Sequence, residues 1–357
     1  MIKILFIVPR AGSINRGVEK FVFDLIQHLD KSRFTISIIG HINSLDKAVN
    51  FYEAAIMKRE QFFWLDRIPL LFKRILFLFN LGTPEDIEAF SLYRWSKKNI
   101  HQRFDIAIPL GGHWSYVLSR YLAKKTISIG QSGVVYNWLK MSDAFVALTD
   151  YEYELSKNFS TKIKSVLIPN GIDVDRFKLE DTENNTILCV AALVNDKRLY
   201  LILEAFLLLP ENTELKIIGS GPLKKQLENH KAFKTGRVSI ESATFLEMPE
   251  KYNEAKIFTL PSKNEAFGIV FIEAMCSGLP IVAHDGPRQR FVLNKFAIFC
   301  NTEDPQEYAN HLQQALSKNK SSNSHIYCQE NYSWKIISTR YEELFQNIFD
   351  ERNSKDF

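Results

Sequence analysis

Apolar residues along this chain fall into short continuous runs, separated by stretches where they recur every three or four positions. Ile2, Ile4, Leu5, Phe6, Ile7 and Val8 make the first run, and similar runs cover residues 34–39, 105–109, 126–130, 144–148 and 165–168. Continuous runs of this length suit strands of a parallel sheet, which helices cover on both faces. Between the first two runs, apolar residues at 21, 22, 25, 26 and 29 keep the helical period and predict an amphipathic helix over 18–29. The second half repeats the alternation, with strands near 186–191, 214–218, 237–240, 256–260 and 280–283, each followed by a helix. Strand–helix alternation throughout predicts the α/β class with doubly wound parallel sheets. A join near Asn170-Gly171 would give two facing domains with a cleft between them. Residues 334–349 read as a further helix, and the Lys/Asn/Ser stretch 318–324 as a surface loop.

Composition narrows the class. A chain of 357 residues suits two domains of ordinary size, and 46% apolar with 24% charged residues describes a globular protein with ample core. No apolar run reaches the 18 or so residues that a membrane-spanning helix needs. The first run is too short for a signal peptide and is stopped by Pro9-Arg10. Cys189, Cys276, Cys300 and Cys328 lack paired spacing, which predicts small core residues in a reducing compartment, with neither a disulfide framework nor a zinc site. A net charge of +4 is compatible with anionic ligands or an anionic membrane surface and requires neither.

The candidate chemistry concentrates after the run 257–260. Glu265 would sit at the tip of a strand, where ligands gather in open α/β sheets. Glu273 would lie about two turns into the following helix, rotated by roughly 80° from Glu265. The amides of Ala266, Phe267 and Gly268 would stand unpaired at that helix start, ready for polar or anionic groups. This suits a polyhydroxylated, charged ligand; the plainer reading is a helix cap and a solvated carboxylate. Gly219-Ser220-Gly221-Pro222 follows a strand and opens a helix, a turn whose amides can form a concavity for phosphate. Asp173-Val174-Asp175 has the D-x-D form of metal-dependent nucleotide-sugar sites, yet it follows Pro169-Asn170-Gly171 as part of a turn, and no metal site is read there. Residues 58–81 interleave aromatic and aliphatic groups with Lys58, Arg59, Arg67, Lys73 and Arg74. That composition fits either a segment lying on an anionic membrane or a buried helix pair.

The run EAFGIVFIEAMCSGLPIVAHDGPRQRFV resembles the signature of glycosyltransferase family four, retaining enzymes of GT-B fold. The resemblance extends through Ile168 to Asp173 and Ile217 to Leu223, strongly over the second half and weakly over the first. It implies an acceptor domain over 1–169, a nucleotide-sugar donor domain over 170–332, and a terminal helix over 333–357 packing back on the first domain. It also implies that Glu273 holds the donor ribose, while Glu265 with the amides of Phe267 and Gly268 holds the transferred sugar, and Ala266 lies beside them at the donor. Lys197 and the turn Gly219, Gly221 and Pro222 would stabilise the departing diphosphate.

Three departures from the family pattern matter. The arginine usual five residues before the lysine is Ala192, so a bidentate phosphate partner is missing. Arg198, beside Lys197, or Arg16, beside the matching Gly17 in the loop 9–17, could replace it. Gln131 stands where a histidine is common near the reacting sugar, and His113 is the other candidate there; glutamine can hydrogen-bond but not titrate. The implied reaction is metal-independent and uses no cofactor beyond the nucleoside-diphosphate sugar. It moves a sugar to a saccharide or lipid-linked acceptor, with the enzyme cytoplasmic or peripheral on the cytoplasmic face and no nucleic-acid partner. A phosphorylase-like member of the fold, or a non-catalytic GT-B subunit that binds sugar nucleotide or a partner enzyme, are the alternatives.

Overall fold

The computed structural model of the chain describes residues 1–11, 17–41, 49–57, 61–62, 64–65, 68–131, 137–159, 163–180, 182 and 184–353, without the side chains of 70–73, 137–138 and 352–353. The chain divides into two units, Met1–Gly171 with Ile337–Phe357, and Ile172–Ile336.

In the first unit the order is β1 (Ile2–Ile7), α1 (Gly17–His28), β2 (Phe34–Gly40), β3 (Asn50–Glu53), α2 (Leu70–Leu78), α3 (Pro84–Asn99), β4 (Phe104–Pro109), α4 (His113–Leu122), β5 (Ala123–Ile129), β6 (Ala144–Ala147), α5 (Asp150–Phe159) and β7 (Lys164–Leu167). The strands form one sheet in the order β3-β2-β1-β4-β5-β6-β7. Their pairings are parallel, with Ile4 set between Ile36 and Ile106. Ile4, Ile36, Ile38, Ile106 and Ile108 are all buried, which is why these runs carry no polar alternation. The order in which successive strands are added reverses between β1 and β4, and the loops after those two strands border the crevice that such a reversal opens.

The second unit runs β8 (Thr186–Val190), α6 (Tyr200–Phe206), β9 (Glu214–Ile218), α7 (Lys224–Glu228), β10 (Val238–Glu241), α8 (Met248–Asn253), β11 (Ile257–Leu260), α9 (Ile269–Cys276), β12 (Ile281–His284), α10 (Pro287–Leu293), β13 (Ala297–Cys300), α11 (Pro305–Leu316) and α12 (Ser322–Tyr332), and from Ile337 on the last helix, α13 (Trp334–Asn353), belongs to the first unit. Its sheet order is β10-β9-β8-β11-β12-β13, so the reversal falls between β8 and β11. Phe258 and Phe271 meet edge-on at 5.9 Å and are fully buried, fastening α9 to β11. Burying a side chain of that size stabilises by about 1.5–3 kcal/mol. Apolar contact thus holds both elements and leaves the loop between them to polar residues.

All four cysteines are buried and free. No helix among the described residues is long and apolar enough to cross a membrane. The stretch 318–324, expected as a loop, is helical from Ser322, where α12 begins. Its face is fixed by burial of Ser324 and Cys328. The last helix, α13, supplies side chains to the first unit's core. Tyr341 lies 6.0 Å from Phe21, and Phe345 lies 5.9 Å from Phe34, centroid to centroid. Glu342 accepts from the Asp30 amide at 2.7 Å and from Arg33 Nη1 at 3.0 Å.

Candidate functional site

At the reversal point of the second sheet, the loop leaving β11 is fixed from two sides. Ser262 Oγ donates to the Asp196 carbonyl at 3.3 Å, tying it to the loop after β8. Gln289, buried on α10, donates from Nε2 to the carbonyls of Ser262 at 2.9 Å and Lys263 at 3.3 Å. This places Glu265, only 8% exposed, against Lys197, whose Nζ donates to Glu265 Oε1 at 2.6 Å. Phe267 turns inward and packs edge-on against Tyr332 at 5.9 Å.

Gly268 then takes a left-handed conformation (φ 82°, ψ 67°) and caps α9. A Cβ there would stand 2.6 Å from the Phe271 ring, so glycine is required twice over. The helix therefore begins at Ile269, later than the sequence suggests. Glu273 is its fifth residue, a little over one turn in, rather than two turns. Glu265 lies in the loop, so no helical rotation relates the two carboxylates. The amides of Ala266 and Phe267 precede the helix instead of starting it. Glu273 is buried as well, and its Oε2 accepts from the Tyr252 hydroxyl at 2.8 Å.

The turn after β9 locks onto the loop after β8 backbone to backbone. A Cβ on Gly219 would fall 1.8 Å from the Ala191 carbonyl oxygen, and one on Gly221 would fall 2.5 Å from that of Leu193. The Leu193 amide donates to the Ser220 carbonyl at 2.9 Å, and the Leu223 amide to the Leu193 carbonyl at 3.1 Å. The Gly219 amide is committed to the Glu241 carbonyl at 2.8 Å. Close packing accounts for both glycines, and Pro222 continues the same turn.

The cations near β8 are unequal. Lys197 faces Glu265, while Arg198 is left-handed (φ 54°, ψ 34°) and its Nη2 reaches Glu303 Oε1 at 2.6 Å. Lys263 Nζ lies 3.8 Å from the same oxygen. The other non-glycine residues with positive φ, among those described, are Asn80 and Asn294. Asparagine tolerates that region and arginine does so poorly. Arg198 Nη1 is buried and has no hydrogen-bond partner among the described residues. Burial, with Arg198 and Lys263 adding to it, holds the His284 imidazole below its usual range. Ala192 is exposed and brings no charge.

In the first unit, the Gly111 backbone approaches Pro9, joining the loops after β4 and β1: a Cβ on Gly111 would lie 3.2 Å from the proline ring. His113 opens α4 there, against Trp114 at 5.7 Å. Burial holds the His113 imidazole below its usual range, with the Asp86 charge opposing. Asp86 is itself fixed by a capping box with Thr83 at the start of α3. Gln131 donates from Nε2 to Asn170 Oδ1 at 2.9 Å, and Asn170 is buried. Gly17 is the first residue of α1, with open space where a Cβ would be. Arg16 lies outside the described residues, as do Ser132 and Gly133 beside Gln131.

Asp173 caps a single turn over Val174–Arg176. Among the described residues, no group of three or more His, Cys, Asp or Glu side chains gathers where a metal ion could be held. Of residues 58–81, Lys58, Arg59, Glu60, Phe63, Asp66 and Arg67 lie outside the described residues, as does the side chain of Lys73. In α2 and just after it, Ile75, Phe77, Leu78 and Phe79 are exposed, Leu78 by 79%. Sequence patterning missed Tyr252, Gln289 and Glu303. They reach the site from 21, 26 and 105 positions away from their partners Glu273, Lys263 and Arg198, and no spacing rule signals such pairs.

Residues 172–331 match the family described as Glycosyl transferases group 1. An uncharacterised glycosyltransferase of Haemophilus influenzae is 26% identical, with 96% of each chain covered. The alpha-monoglucosyldiacylglycerol synthase of Streptococcus pneumoniae is 22% identical over 95% of this chain and 86% of its own. Among solved structures, sucrose-phosphate synthase of Thermosynechococcus elongatus superposes with a TM-score of 0.73 at 15% identity, covering 98% of this chain and all of its own.

Proposed function

We propose, from the premise that this chain belongs to the group 1 glycosyl transferases and carries their GT-B fold, that it transfers a sugar from a UDP- or GDP-linked donor to an acceptor hydroxyl with retention of anomeric configuration. The observation that carries this reading is the Lys197–Glu265 pair at the reversal point of the second sheet, where ligands of open α/β sheets bind. A sugar nucleotide presents hydroxyls to a carboxylate and a diphosphate to a cation, and the pair offers both. Glu265 receives hydrogen bonds from the transferred sugar. Glu273 receives them from the ribose. Lys197 transfers its charge to the diphosphate as the glycosidic bond breaks, the electrostatic term that dominates such catalysis. The amides opening α9 add partial positive charge. With a lysine and a helix N-terminus neutralising the phosphates, no metal is required.

The leaving phosphate oxygen takes the proton of the attacking acceptor hydroxyl on the same face of the sugar. His113, neutral at pH 7, and Gln131 hydrogen-bond acceptor hydroxyls within the first unit. The acceptor is a saccharide or lipid-linked saccharide, in keeping with a relative whose name is a glycolipid synthase. The exposed apolar residues of α2 support a peripheral position on an anionic membrane. A second reading, a non-catalytic subunit that binds sugar nucleotide, draws on Ala192 in place of the usual arginine. A panel of UDP- and GDP-sugars separates the two. The enzyme reading expects one donor to raise the melting temperature and to be hydrolysed or transferred. A thermal shift without turnover on water or any acceptor supports the second reading, and no shift with any nucleotide overturns both.

A further inference from the structure

We infer that Gln289 is a positioning residue for the sugar end of the donor site, acting through Glu265. The inference rests on the donor-site reading above. Gln289 lies on α10, 1% exposed, and its Nε2 directs both of its N–H bonds at the loop that leaves β11. One goes to the Ser262 carbonyl at 2.9 Å and the other to the Lys263 carbonyl at 3.3 Å. The preceding carbonyl, of Pro261, accepts from Thr302 Oγ1 at 3.5 Å, so side chains hold three consecutive peptides of this loop. Ser262 Oγ ties the same loop to the carbonyl of Asp196, the residue before Lys197. Two residues beyond Lys263 stands Glu265, against Lys197. The amide of Gln289 therefore sets where that carboxylate meets the lysine.

The orientation of the amide follows from its partners. Turned over, Oε1 would face two carbonyl oxygens and donate to neither. Glutamate of the same length would have no donor when ionised, and asparagine would fall a methylene short. Gly286 makes room for the side chain. Its φ of −143° is ordinary extended backbone, yet a Cβ there would stand 2.5 Å from Gln289 Oε1, and the three nearest atoms to that Cβ all belong to Gln289. Gly286→Ala would thus strain no backbone and press on this amide alone. Without the two bonds, the Ser262 and Lys263 carbonyls lose this partner. The loop can then shift Glu265, while β11 and α9 stay packed through Phe258 and Phe271.

The test uses the full-length protein with Gln289→Met, which keeps the length and removes both donors, and with Gly286→Ala, which displaces the amide without removing it. Titration calorimetry measures UDP, GDP and the UDP- and GDP-sugars of the panel above. The same titrations are made on Glu265→Gln and on Glu265→Gln combined with Gln289→Met. Gln289→Met is expected to weaken binding of the sugar nucleotide about tenfold, the range of one charged hydrogen bond, and to leave its nucleoside diphosphate nearly unchanged. Gly286→Ala should act in the same direction. In the Glu265→Gln background, Gln289→Met should weaken binding no further, because its effect passes through that carboxylate. A merely structural glutamine would lower the melting temperature and weaken both ligands alike, or add its loss to that of Glu265→Gln. Either result removes the positioning role while the donor site stands. Should Gln289→Met fail to fold, Gly286→Ala decides: sugar-nucleotide binding as in the wild type overturns the inference. If the wild type binds no sugar nucleotide of the panel, the donor reading falls and the inference with it.

Discussion

Lys197 and Glu265, 68 positions apart, meet at 2.6 Å between Nζ and Oε1, with side chains 24% and 10% exposed. Each neutralises the other, so under the proposed donor reading a sugar nucleotide would have to compete with this pair for both groups.

A double-mutant cycle tests how strongly the pair is coupled. Lys197→Met and Glu265→Gln should each destabilise the protein by about 1–2 kcal/mol, since each leaves a partly desolvated group without its partner. The double variant should recover about 1 kcal/mol of the summed cost. Urea unfolding measures all four forms, and strictly additive losses would show no coupling. Lys197→Met should also lower kcat/KM by about a hundredfold or more.

Gly219→Ala is expected to cost about 3 kcal/mol or more, because its Cβ would stand 1.8 Å from the Ala191 carbonyl oxygen and backbone cannot step aside. Gly17→Ala, with open space at its Cβ, serves as the control and should be nearly neutral. Equal melting temperatures for the two variants would remove the packing argument.

Much of this framework was legible in the sequence, for physical reasons. Strands buried on both faces, such as Ile4 to Ile7, betray themselves as apolar runs. β3, Asn50–Glu53, escaped notice because it is short, partly exposed and carries no such run, whereas β13, Ala297–Cys300, is an apolar run too short to tell from part of a helix. The glutamates and Lys197 were found from motif order. The later start of α9 was not, since it depends on the left-handed turn of Gly268 against Phe271. Arg198 looked like one of two equivalent replacements for the arginine missing at Ala192; its strained backbone and its bond to Glu303 emerge only from the fold.

Arg198→Gly should melt at or above the wild-type temperature. Relieving a left-handed arginine returns about 1 kcal/mol, and the pair with Glu303 is screened by solvent. A fall of several degrees would contradict the strain. UDP or GDP titration into the same variant decides its role: weaker binding puts the guanidinium on the diphosphate, and unchanged binding removes it from the donor site.

The pH dependence of unfolding follows from His113. Burial lowers its imidazole below the usual value of about 6.5, so the unfolded chain takes up a proton before the folded one does. Its contribution to stability is fully present above pH 6.5 and is lost as the pH falls below it. His113→Gln should flatten the unfolding profile on that side. His284 shifts in the same direction, so the two are replaced one at a time. An unchanged slope would mean that His113 titrates alike in both states.

Leu78→Asp combined with Phe79→Ser should reduce co-sedimentation with vesicles of phosphatidylglycerol and leave the melting temperature nearly unchanged, because both side chains face water in the fold. Undiminished sedimentation would detach the α2 surface from any membrane role.

The closing helix sets the order in which the molecule can be made. Tyr341 and Phe345 complete a core begun by Phe21 and Phe34, more than three hundred residues earlier. During synthesis the first unit must wait with that apolar face uncovered while the entire second unit is translated and free to fold. Loop closure over such a separation is slow. The first unit, built first, is therefore the last to reach its native state, and its exposed interval is where a chaperone would be needed most.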